Sequence, residues 1–418
     1  MLDIKFIREN PDDVKKAAKN KGVDIDIHKI LTLDKNKQEL HQEVQKLQEE
    51  RNALTKEITD KPAPEQIKKG KELREELEKK EEEFNKTNDE LNSLLLTIPN
   101  PAKPDVKTGK DESENDIIRT WGEPKKFTFT PKDHLELGEA LGIIDVERAS
   151  KVSGARFAYL KGDAARLELA LVNFAMDLLS QEGFIPVIPP VLIKKETMQG
   201  LGYMENGGEE DMFQLKEDGL FLVGTAEQSL VPMHKNETLS VKDLPKRYIG
   251  YSTSFRREAG SYGKDTRGIL RVHQFNKVEM VSFVEEGKDD EEQEYLLSLE
   301  ERLFQALDIP YQVIKMCTGD LGFPAARKYD IEAFLPGQNK YREVTSVSTV
   351  SGFQSRRLNM KYQDGAEKKY LQVLNGTAFA MSRTPIAILE NYQQEDGSVS
   401  IPEVLRKYMG KDKITPQK

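Results

Sequence analysis

SFRREAGSYGKDTRGILRVHQFNKVE, residues 254–279, contains two strand-like runs separated by a polar, glycine-rich segment. Because side chains alternate between the faces of a strand, Arg256 and Glu258 are predicted to share a face of the first strand. Three side chains share a face of the second strand by the same rule: Phe275, Lys277 and Glu279. Arginine binds phosphate oxygens through paired N–H groups, and an aromatic ring can stack on a base. The hairpin is therefore interpreted as a wall of a nucleotide-binding cleft; the alternative is a surface hairpin whose cross-strand ion pairs contribute little.

Any nucleotide bound by this chain would depend on arginines and acidic side chains rather than on a phosphate-binding loop. No GxxxxGK[ST] motif is present, and the GSYGK run at residues 260–264 has the wrong spacing. Metal sites built from cysteine or histidine are also disfavoured. Cys317 is the one cysteine, and the five histidines show no metal-ligand spacing.

Downstream of residue 127, strand-like runs alternate with helical ones. The strand-like runs are residues 186–193, 220–227, 271–284 and 341–350. Helical patterns occupy residues 165–183 and 289–307. Many strands with few strand–helix–strand spacings predict an α+β fold, in which helices flank a mostly antiparallel sheet.

Residues 33–98 predict a pair of long helices. The first has leucines seven apart with further seam positions between them: Leu33, Leu40, Leu47 and Leu54, then Val44, Arg51 and Ile58. The seven-residue spacing resumes with Leu77, Phe84, Leu91 and Ile98. Pro62 and Pro64 interrupt the pattern between the two. Two such helices joined by a short turn are predicted to form an antiparallel coiled-coil hairpin.

Charge is unevenly distributed along that hairpin. Between residues 51 and 74, seven Lys and Arg residues outnumber four acids, whereas residues 75–90 hold eight acids and three lysines. A basic outer half suits a phosphate backbone, but a solvated coiled coil of mixed charge explains the pattern equally well. The proline-containing stretch 99–126 is predicted to be a linker.

The composition disfavours several functional classes. The chain has 418 residues and a formal net charge of −9, so binding to a nucleic acid would depend on local basic patches. Charges interrupt the N-terminal MLDIKFIREN, which argues against a signal peptide. No run of about 18 apolar residues occurs, so no membrane span is expected. The sequence predicts a cytoplasmic protein.

The hairpin at residues 254–279 resembles motif 2 of class II aminoacyl-tRNA synthetases, in the wording of the bacterial-type seryl enzymes. GFIPVIPPVL, which follows a long helical pattern, resembles motif 1, ending at Pro190. NGTAFAMSRTPIAILENYQ at residues 375–393 resembles motif 3, with Arg383 as its arginine. Three shorter segments also match the family: GTAE at 224–227, EVTS at 343–346 and FQSRR at 353–357. The motifs occur in the family's order, and the resemblance covers essentially the whole chain.

The resemblance implies a domain organisation and a reaction. Residues 1–105 would form a tRNA-binding domain with the hairpin arm at about 33–98, and residues 106–418 a class II catalytic domain built on an antiparallel β-sheet. The enzyme would activate L-serine with ATP and Mg²⁺, giving seryl-adenylate and pyrophosphate. It would then transfer serine to the 3′-terminal adenosine of tRNA(Ser), bound through the arm; whether tRNA(Sec) is a second substrate stays open. A homodimer through motif 1 is also implied.

The resemblance assigns site residues position by position. The ATP-binding set is Arg256, Arg257, Glu258, Arg271, Val272, His273, Gln274, Phe275, Glu343, Val344, Thr345, Ser346 and Arg383. The serine-binding set is Thr225, Ala226, Glu227, Arg256, Glu279 and Thr377. Catalysis is assigned to Arg256, at the α-phosphate, and to Arg383. Arg271 and Arg383 would hold the outer phosphates, Glu258 and Phe275 the adenine, and Glu343 and Ser346 the Mg²⁺ ion.

Three other interpretations stay open. A paralogue that activates an amino acid without charging tRNA would lack the arm or have an altered pocket, and both features are present. A threonine or proline enzyme of the same class is disfavoured by the N-terminal hairpin and by the missing metal-ligand cluster. A non-enzymatic coiled-coil or RNA-binding protein predicts losses at the catalytic positions, yet four of them are intact: Arg256, Glu279, Glu343 and Arg383.

Overall fold

The computed structural model describes residues 1–58, 62–205, 207–259, 265 and 267–416. The chain divides into two compact units, Met1–Pro99 and Asn100–Lys418. The turn expected at residues 60–66 lies partly outside the described residues, and the GSYGK run lies wholly outside them.

The first unit contains four helices: α1 (Ile4–Glu9), α2 (Pro11–Asn20), α3 (Ile27–Glu57) and α4 (Pro64–Leu96). Lys29, near the start of α3, forms an ion pair with Glu90, near the end of α4, at 2.8 Å. Further along α3, Glu43 pairs with Lys80 at 2.7 Å, so the two helices run antiparallel. Pro64 occupies the first turn of α4, where its missing N–H removes no helical hydrogen bond. The predicted helical hairpin is confirmed.

The apolar seam between α3 and α4 follows the predicted seven-residue spacing with one exception. Leu54, Leu77 and Leu91 are buried, and Ile98 is buried just beyond the end of α4. Arg51, predicted as a seam position, is exposed. That prediction is wrong because the seam between two helices is narrow, and a long cationic side chain extends from it into water.

The second unit combines helices with a large sheet. Its helices are α5 (His134–Ala140), α6 (Val146–Ser153), α7 (Asp163–Gln181), α8 (Lys195–Leu201), α9 (Glu227–Leu230), α10 (Asp289–Ala306), α11 (Phe353–Leu358), α12 (Thr384–Tyr392) and α13 (Glu403–Met409). Its strands are β1 (Asp116–Trp121), β2 (Ile144–Asp145), β3 (Tyr159–Leu160), β4 (Ile185–Val187), β5 (Leu192–Lys194), β6 (Gln214–Leu215), β7 (Leu220–Leu222), β8 (Thr238–Ser240), β9 (Lys246–Phe255), β10 (Gln274–Val284), β11 (Tyr311–Lys315), β12 (Arg327–Leu335), β13 (Lys340–Ser351), β14 (Lys361–Asp364), β15 (Glu367–Tyr370), β16 (Gln372–Ala380), β17 (Val399–Ser400) and β18 (Lys413–Ile414). No helix in the described ranges is long and apolar enough to cross a membrane.

Eight strands form the central sheet, in the order β1-β11-β12-β13-β16-β10-β9-β4. All its neighbouring strands are antiparallel except β4 and β9, which are parallel. One face packs on α7 and α10 through a single apolar cluster that includes Leu171, Phe304 and Val347. The predicted α+β fold, with helices flanking a mostly antiparallel sheet, is confirmed.

The linker predicted at residues 99–126 is wrong over part of its length. Asp116–Trp121 forms β1, which pairs antiparallel with β11 at the edge of the sheet. Prolines cluster on both sides of this strand, and its position at an edge explains why Ile117 and Ile118 are exposed despite the strand conformation. The prolines and charges around this segment favoured a linker. The six residues of β1 show no alternation of buried and exposed side chains that would have predicted a strand.

Three strand predictions differ from the structure in extent. The run 186–193 divides into β4 and β5, because two consecutive prolines cannot donate to a sheet ladder. The run 220–227 ends as a strand at Leu222, and the strand expected from residue 271 begins at Gln274. The strand predicted at 341–350 is confirmed within β13.

Candidate active site

A cleft lies on the face of the sheet opposite α10. Ser346 of β13 lines both parts of this cleft, whereas its neighbour Thr345 lines only one part and donates its hydroxyl to Glu300 of α10. The cleft has two adjoining lobes. We call them the arginine lobe, which contains Arg271 and Arg383, and the carboxylate lobe, which contains Glu227 and Glu279.

The arginine lobe brings together most of the residues predicted to bind ATP. They are Arg256, Glu258, Arg271, Val272, Phe275, Glu343, Val344, Thr345, Ser346 and Arg383. Three predicted members lie beside the lobe instead. Arg257 lies over the ring of Phe213 at 5.5 Å, the His273 ring packs near the same phenylalanine, and Gln274 lines a neighbouring hollow.

The prediction that Arg256 and Glu258 share a face of the first strand is wrong. β9 ends at Phe255, and Glu258 has φ of 54°, a left-handed conformation that a strand does not contain. Both side chains still reach the arginine lobe because the chain turns there: the Arg256 N–H donates to the carbonyl of His273 at 3.0 Å. The residue types were informative, but side chains alternate only as far as the end of the strand at Phe255.

A β-bulge explains how Glu343 and Ser346, three residues apart, come to line the same lobe. In a regular strand such residues point to opposite faces. The pairing of β12 with β13 shifts here, since Ile331 lies opposite Thr345 and the next residue of β12 lies opposite Glu343. Val344 is the extra residue, and one extra residue restores Glu343 and Ser346 to a common face.

Arg383 and Glu343 form the central ion pair of the arginine lobe. The Arg383 guanidinium lies 2.8 Å from the Glu343 carboxylate and donates to its backbone carbonyl at 3.0 Å. Burial opposes ionisation of Glu343, but the positive charges of Arg383 and Lys328 outweigh it and lower the pKa of Glu343 well below its usual range. Glu343 is therefore a carboxylate, the form that binds a cation.

Arg271 is held by two acids on the other side of the lobe. Its guanidinium lies 3.0 Å from Glu258 and 3.2 Å from Asp265, which also pairs with Arg342. Burial raises the pKa of Asp265, but the two arginines lower it by more. Arginine forks occupied by carboxylates are preformed sites for other anions, including phosphate oxygens.

Arg256 connects the two lobes. Its guanidinium lies over the ring of Phe275, 5.4 Å from the centroid, and donates to the carbonyl of Gly224 at 3.2 Å. The side chain lines both lobes. Its positive charge is thus available where a ligand in one lobe would meet a ligand in the other.

The carboxylate lobe contains most of the residues assigned to serine. Thr225, Glu227, Arg256 and Glu279 line it. Thr377 lies directly opposite Glu279 in the ladder between β16 and β10 and lines the arginine lobe. Ala226 belongs to a buried apolar cluster instead, because its neighbours Thr225 and Glu227 take the positions that face the lobe.

Two groups that the sequence did not assign satisfy Glu227. The Tyr203 hydroxyl donates to its carboxylate, 2.9 Å from each oxygen, and the Gln354 side-chain amide donates at 3.1 Å. Burial raises the pKa of Glu227, and the charge of Glu279 raises it further. Gln354 lies in the FQSRR segment, so a role for that segment could have been inferred; nothing in the sequence pointed to Tyr203.

Two lysines in the cleft were also missed as site residues. Lys277 lies 2.7 Å from Glu279 and donates to the Thr225 hydroxyl at 3.2 Å. Lys328 lines both lobes and lies 3.2 Å from Asp330. Lys277 could have been found from its shared face with Glu279, whereas Lys328 lies in β12, a strand that carries no motif.

The donor set of the cleft fits a hard divalent cation held partly by a ligand. Within the described ranges, no group of three or more His, Cys, Asp or Glu side chains could hold a metal ion alone. Glu343 and Ser346 present a carboxylate and a hydroxyl on one face, as oxygen-seeking Mg²⁺ prefers when phosphates and water complete its shell.

Comparison with known families gives two matches that together span most of the chain. Residues 1–102 match the seryl-tRNA synthetase N-terminal domain. Residues 212–392 match the tRNA synthetase class II core domain (G, H, P, S and T). The second match includes the whole arginine lobe and most of the carboxylate lobe, but not Tyr203.

Individual proteins resemble the chain over its whole length. It is 45% identical to the serine–tRNA ligase of Thermodesulfovibrio yellowstonii, over 99% of this chain and 100% of that one. The serine–tRNA ligase of Dictyoglomus thermophilum is also 45% identical, over 100% of both chains. Among solved structures, seryl-tRNA synthetase from Pyrococcus horikoshii complexed with ATP matches with a TM-score of 0.92 and 41% identity, over 100% of both chains. The cytoplasmic serine–tRNA ligase of Naegleria fowleri in complex with AMP matches with a TM-score of 0.89 and 32% identity, over 100% of this chain and 99% of that one.

Proposed function

Because the chain belongs to the seryl-tRNA synthetase family, we propose that it is a serine–tRNA ligase. It activates L-serine with ATP, releasing pyrophosphate, and transfers serine from the adenylate to the 3′-terminal adenosine of tRNA(Ser). The proposal is carried by one observation: the two lobes join at Arg256, so a nucleotide and an amino acid can meet at one cation. Like its family, the protein is an ATP-using class II enzyme.

The first step needs alignment and charge stabilisation rather than a protein nucleophile. The serine carboxylate attacks the α-phosphorus, and the bond to the bridging oxygen of pyrophosphate breaks. We assign Arg256 to the α-phosphate, and Arg271 and Arg383 to the outer phosphates. ATP would displace the acids that now occupy these arginines, leaving Glu258 available to the adenine amino group and Phe275 to the ring.

We propose that Glu343 and Ser346 hold Mg²⁺. The bulge at Val344 supports this assignment, because it brings both oxygen donors to one face. When bound, the ion would neutralise phosphate charge. The low pKa of Glu343 keeps its carboxylate ionised for that purpose.

Serine selection is assigned to the carboxylate lobe. Glu279 and Thr225 would form hydrogen bonds with polar groups of serine. Glu227, which accepts a hydrogen bond from Tyr203, would form the adjacent side of the pocket. An alanine or glycine bound there would leave these buried groups unpaired, which a polar pocket discriminates against strongly.

The second step requires tRNA, and we assign its recognition to residues 1–105 through the helical hairpin. The basic outer half of the hairpin supports the assignment, because RNA helices are read chiefly through backbone and shape. Residues 106–418 would carry the chemistry. The reaction uses cytoplasmic tRNA and ATP, so we propose the cytoplasm as its compartment.

We also propose a homodimer formed through the motif 1 segment. Leu169 of α7 and Ile185 of β4 are exposed, as is Ile188 just after that strand. Large apolar side chains exposed on successive elements are typical of an interface. Size-exclusion chromatography with light scattering tests this proposal, and a monomer at micromolar concentration would contradict it.

ATP-dependent attachment of radiolabelled serine to unfractionated tRNA tests the whole proposal, with threonine, alanine and glycine as controls. Charging with serine alone is expected. Serine-dependent ATP–pyrophosphate exchange without charging would instead favour an amino-acid-activating paralogue, and absence of both activities would favour a non-enzymatic protein. A tRNA(Sec) transcript assayed in parallel decides whether that tRNA is a second substrate.

A further inference from the structure

Four side chains line both lobes of the cleft: Arg256, Lys277, Lys328 and Ser346. Arg256 and Ser346 already have roles in the proposed reaction, whereas the two lysines do not. Lys277 is committed to the carboxylate lobe, since its ammonium lies 2.7 Å from Glu279 and 3.2 Å from the Thr225 hydroxyl. Lys328 is the cation at the junction that still lacks a function.

Lys328 is placed and charged for contact with a ligand. It lies on β12 opposite Ser348 of β13, and its side chain is 24% exposed, with the ammonium 3.2 Å from Asp330. Burial lowers the pKa of Lys328, but the charges of Asp330 and Glu343 raise it by more, to above its ordinary value. The side chain therefore remains an ammonium ion throughout the range in which enzymes work.

Fold stability alone does not account for this pair. A lysine–aspartate pair removed from water stabilises a protein no better than well-packed apolar residues of the same size, because desolvation offsets the attraction. Asp330 is itself buried, and burial raises its pKa despite the ammonium of Lys328. Since buried ion pairs in general add little to stability relative to apolar residues, a pair located where two anionic substrates would meet is better explained by the reaction.

We propose that Lys328 is a further catalytic residue of adenylate formation, contacting the phosphate oxygens where the serine carboxylate and ATP meet. This inference rests on the proposed function. As the carboxylate oxygen bonds to the α-phosphorus and the bond to pyrophosphate breaks, negative charge moves onto phosphate oxygens. Lys328 keeps its proton throughout and stabilises that charge, while Asp330 is a positioning residue that orients the ammonium.

The test compares Lys328→Met, Asp330→Asn and the double variant in serine-dependent ATP–pyrophosphate exchange, using the full-length protein. Lys328→Met is expected to lower kcat on the order of 10²-fold, the scale for losing one group that stabilises transition-state charge. The KM values for serine and ATP should change much less. The double variant should be as slow as Lys328→Met, whereas Asp330→Asn should retain most activity. Because Lys328→Met leaves Asp330 buried without its partner, thermal melts of all three variants are measured and kinetics are compared at a temperature where each is folded.

A merely structural ion pair gives the opposite pattern. Asp330→Asn would then be as damaging as Lys328→Met, and the double variant, with neither charge left unpaired, would recover; either result overturns the inference, as does near-normal kcat in Lys328→Met. Lys328→Arg keeps the charge and should retain more activity than Lys328→Met, which covers the case of a poorly folded methionine variant.

Lys315→Met is the matched control. Lys315 lies on the neighbouring strand β11, is 18% exposed and pairs with Asp105 at 2.5 Å, but lies outside the cleft lining. Its exchange kinetics should match the wild type. A wild-type protein without serine-dependent exchange would overturn the proposed function and this inference together, whereas an active wild type with an active Lys328→Met/Asp330→Asn variant overturns only the inference.

Discussion

The helical hairpin and the cleft are both built from charged residues, but they hold those charges in opposite ways. In the hairpin, Lys71 and Glu75 lie 3.8 Å apart, and their side chains are 78% and 66% exposed. In the cleft, Lys277 and Glu279 lie 2.7 Å apart, and their side chains are 9% and 2% exposed. The same two residue types therefore meet water in one region and each other in the second.

This difference in exposure determines whether one charged side chain of a pair can be replaced without harm to the protein. An exposed pair spaced four apart on a helix contributes little, because water and salt screen it and ordering two long side chains costs entropy. A buried pair persists only while both members are present, since loss of one leaves the other desolvated and unpaired. We therefore expect the hairpin to act through its summed field and the cleft through individual groups.

Arg256→Ala should give the largest loss of activity of the variants considered. It is therefore the most direct test of whether the cleft depends on individual charged groups. The guanidinium connects both lobes, and the neighbouring ammonium groups of Lys277 and Lys328 cannot reproduce the paired N–H groups of an arginine. Serine-dependent ATP–pyrophosphate exchange should fall by about 10³-fold, the scale for one electrostatic group in a preorganised site. Circular dichroism should show an unchanged fold.

Arg302→Ala is the control for that measurement. Arg302 pairs with Glu182 outside the cleft and is half exposed, so its loss should leave exchange unchanged. Near-normal exchange in Arg256→Ala would mean that the phosphate site has been assigned to the wrong arginine.

Deleting residues 36–95 should separate the two regions by function. Without the outer hairpin, tRNA charging should fall by about 10²-fold or more, the scale for losing several phosphate contacts. Exchange should stay within about twofold, because adenylate formation needs no tRNA and the cleft residues all lie beyond residue 200. Equal losses in both assays would contradict the assignment of tRNA binding to the hairpin and adenylate formation to the cleft. Charging measured at several salt concentrations would show whether the remaining affinity for tRNA is electrostatic.

How much could be predicted from the sequence also differs between the two regions. The hairpin follows from the repeat alone, because leucines at multiples of seven residues, such as Leu47 and Leu54 in the first helix and Leu77 and Leu91 in the second, have one physical meaning on a helix. The cleft needed the family resemblance. Its residue types were correct, but the reasons for their convergence lie in backbone irregularities, such as the end of β9 at Phe255 and the bulge at Val344.

Those irregularities escape sequence reasoning for a physical reason. Alternation assumes a regular strand, whereas a bulge or a turn shifts every later side chain to the other face. Glu343 and Ser346 would have been placed on opposite faces by alternation. Tyr203 and Lys328 were missed because each reaches the cleft only through tertiary packing, from segments that carried no motif.

Glu227→Gln sharpens the comparison by removing one buried charge without changing shape. Burial and the charge of Glu279 raise the pKa of Glu227 above its ordinary value of 4.5. A carboxyl with a raised folded-state pKa binds its proton more tightly when folded, so the protein loses stability as pH rises from about 4.5 through the folded pKa. The Glu227→Gln protein has no carboxyl at this position, so it does not lose stability in this way as pH rises.

At pH 8 the Glu227→Gln protein should therefore be more stable than the wild type, because it has no buried carboxyl that must ionise. The gain should vanish near pH 4, where the wild-type carboxyl is neutral in both states. Thermal melts across that pH range measure it, and serine KM should rise in the same variant, as expected where a binding group is kept at a cost to stability. A difference in melting temperature that does not depend on pH would show that packing, not charge, separates the two proteins.

The smallest effect on stability is expected for the hairpin pair Lys71–Glu75. A small effect there would show that exposed pairs in the hairpin, unlike buried pairs in the cleft, can be removed individually. A double-mutant cycle with Lys71→Ala and Glu75→Ala, followed by urea unfolding of the full chain, should give a coupling below about 0.5 kcal/mol. Exchange should be unaffected in all three variants. Lys71→Ala should nevertheless reduce the salt dependence of tRNA charging slightly, because a charge that adds nothing to the fold still contributes to the field that a phosphate backbone meets. A large coupling in this exposed pair would mean that the hairpin, like the cleft, depends on particular partners rather than on its total charge.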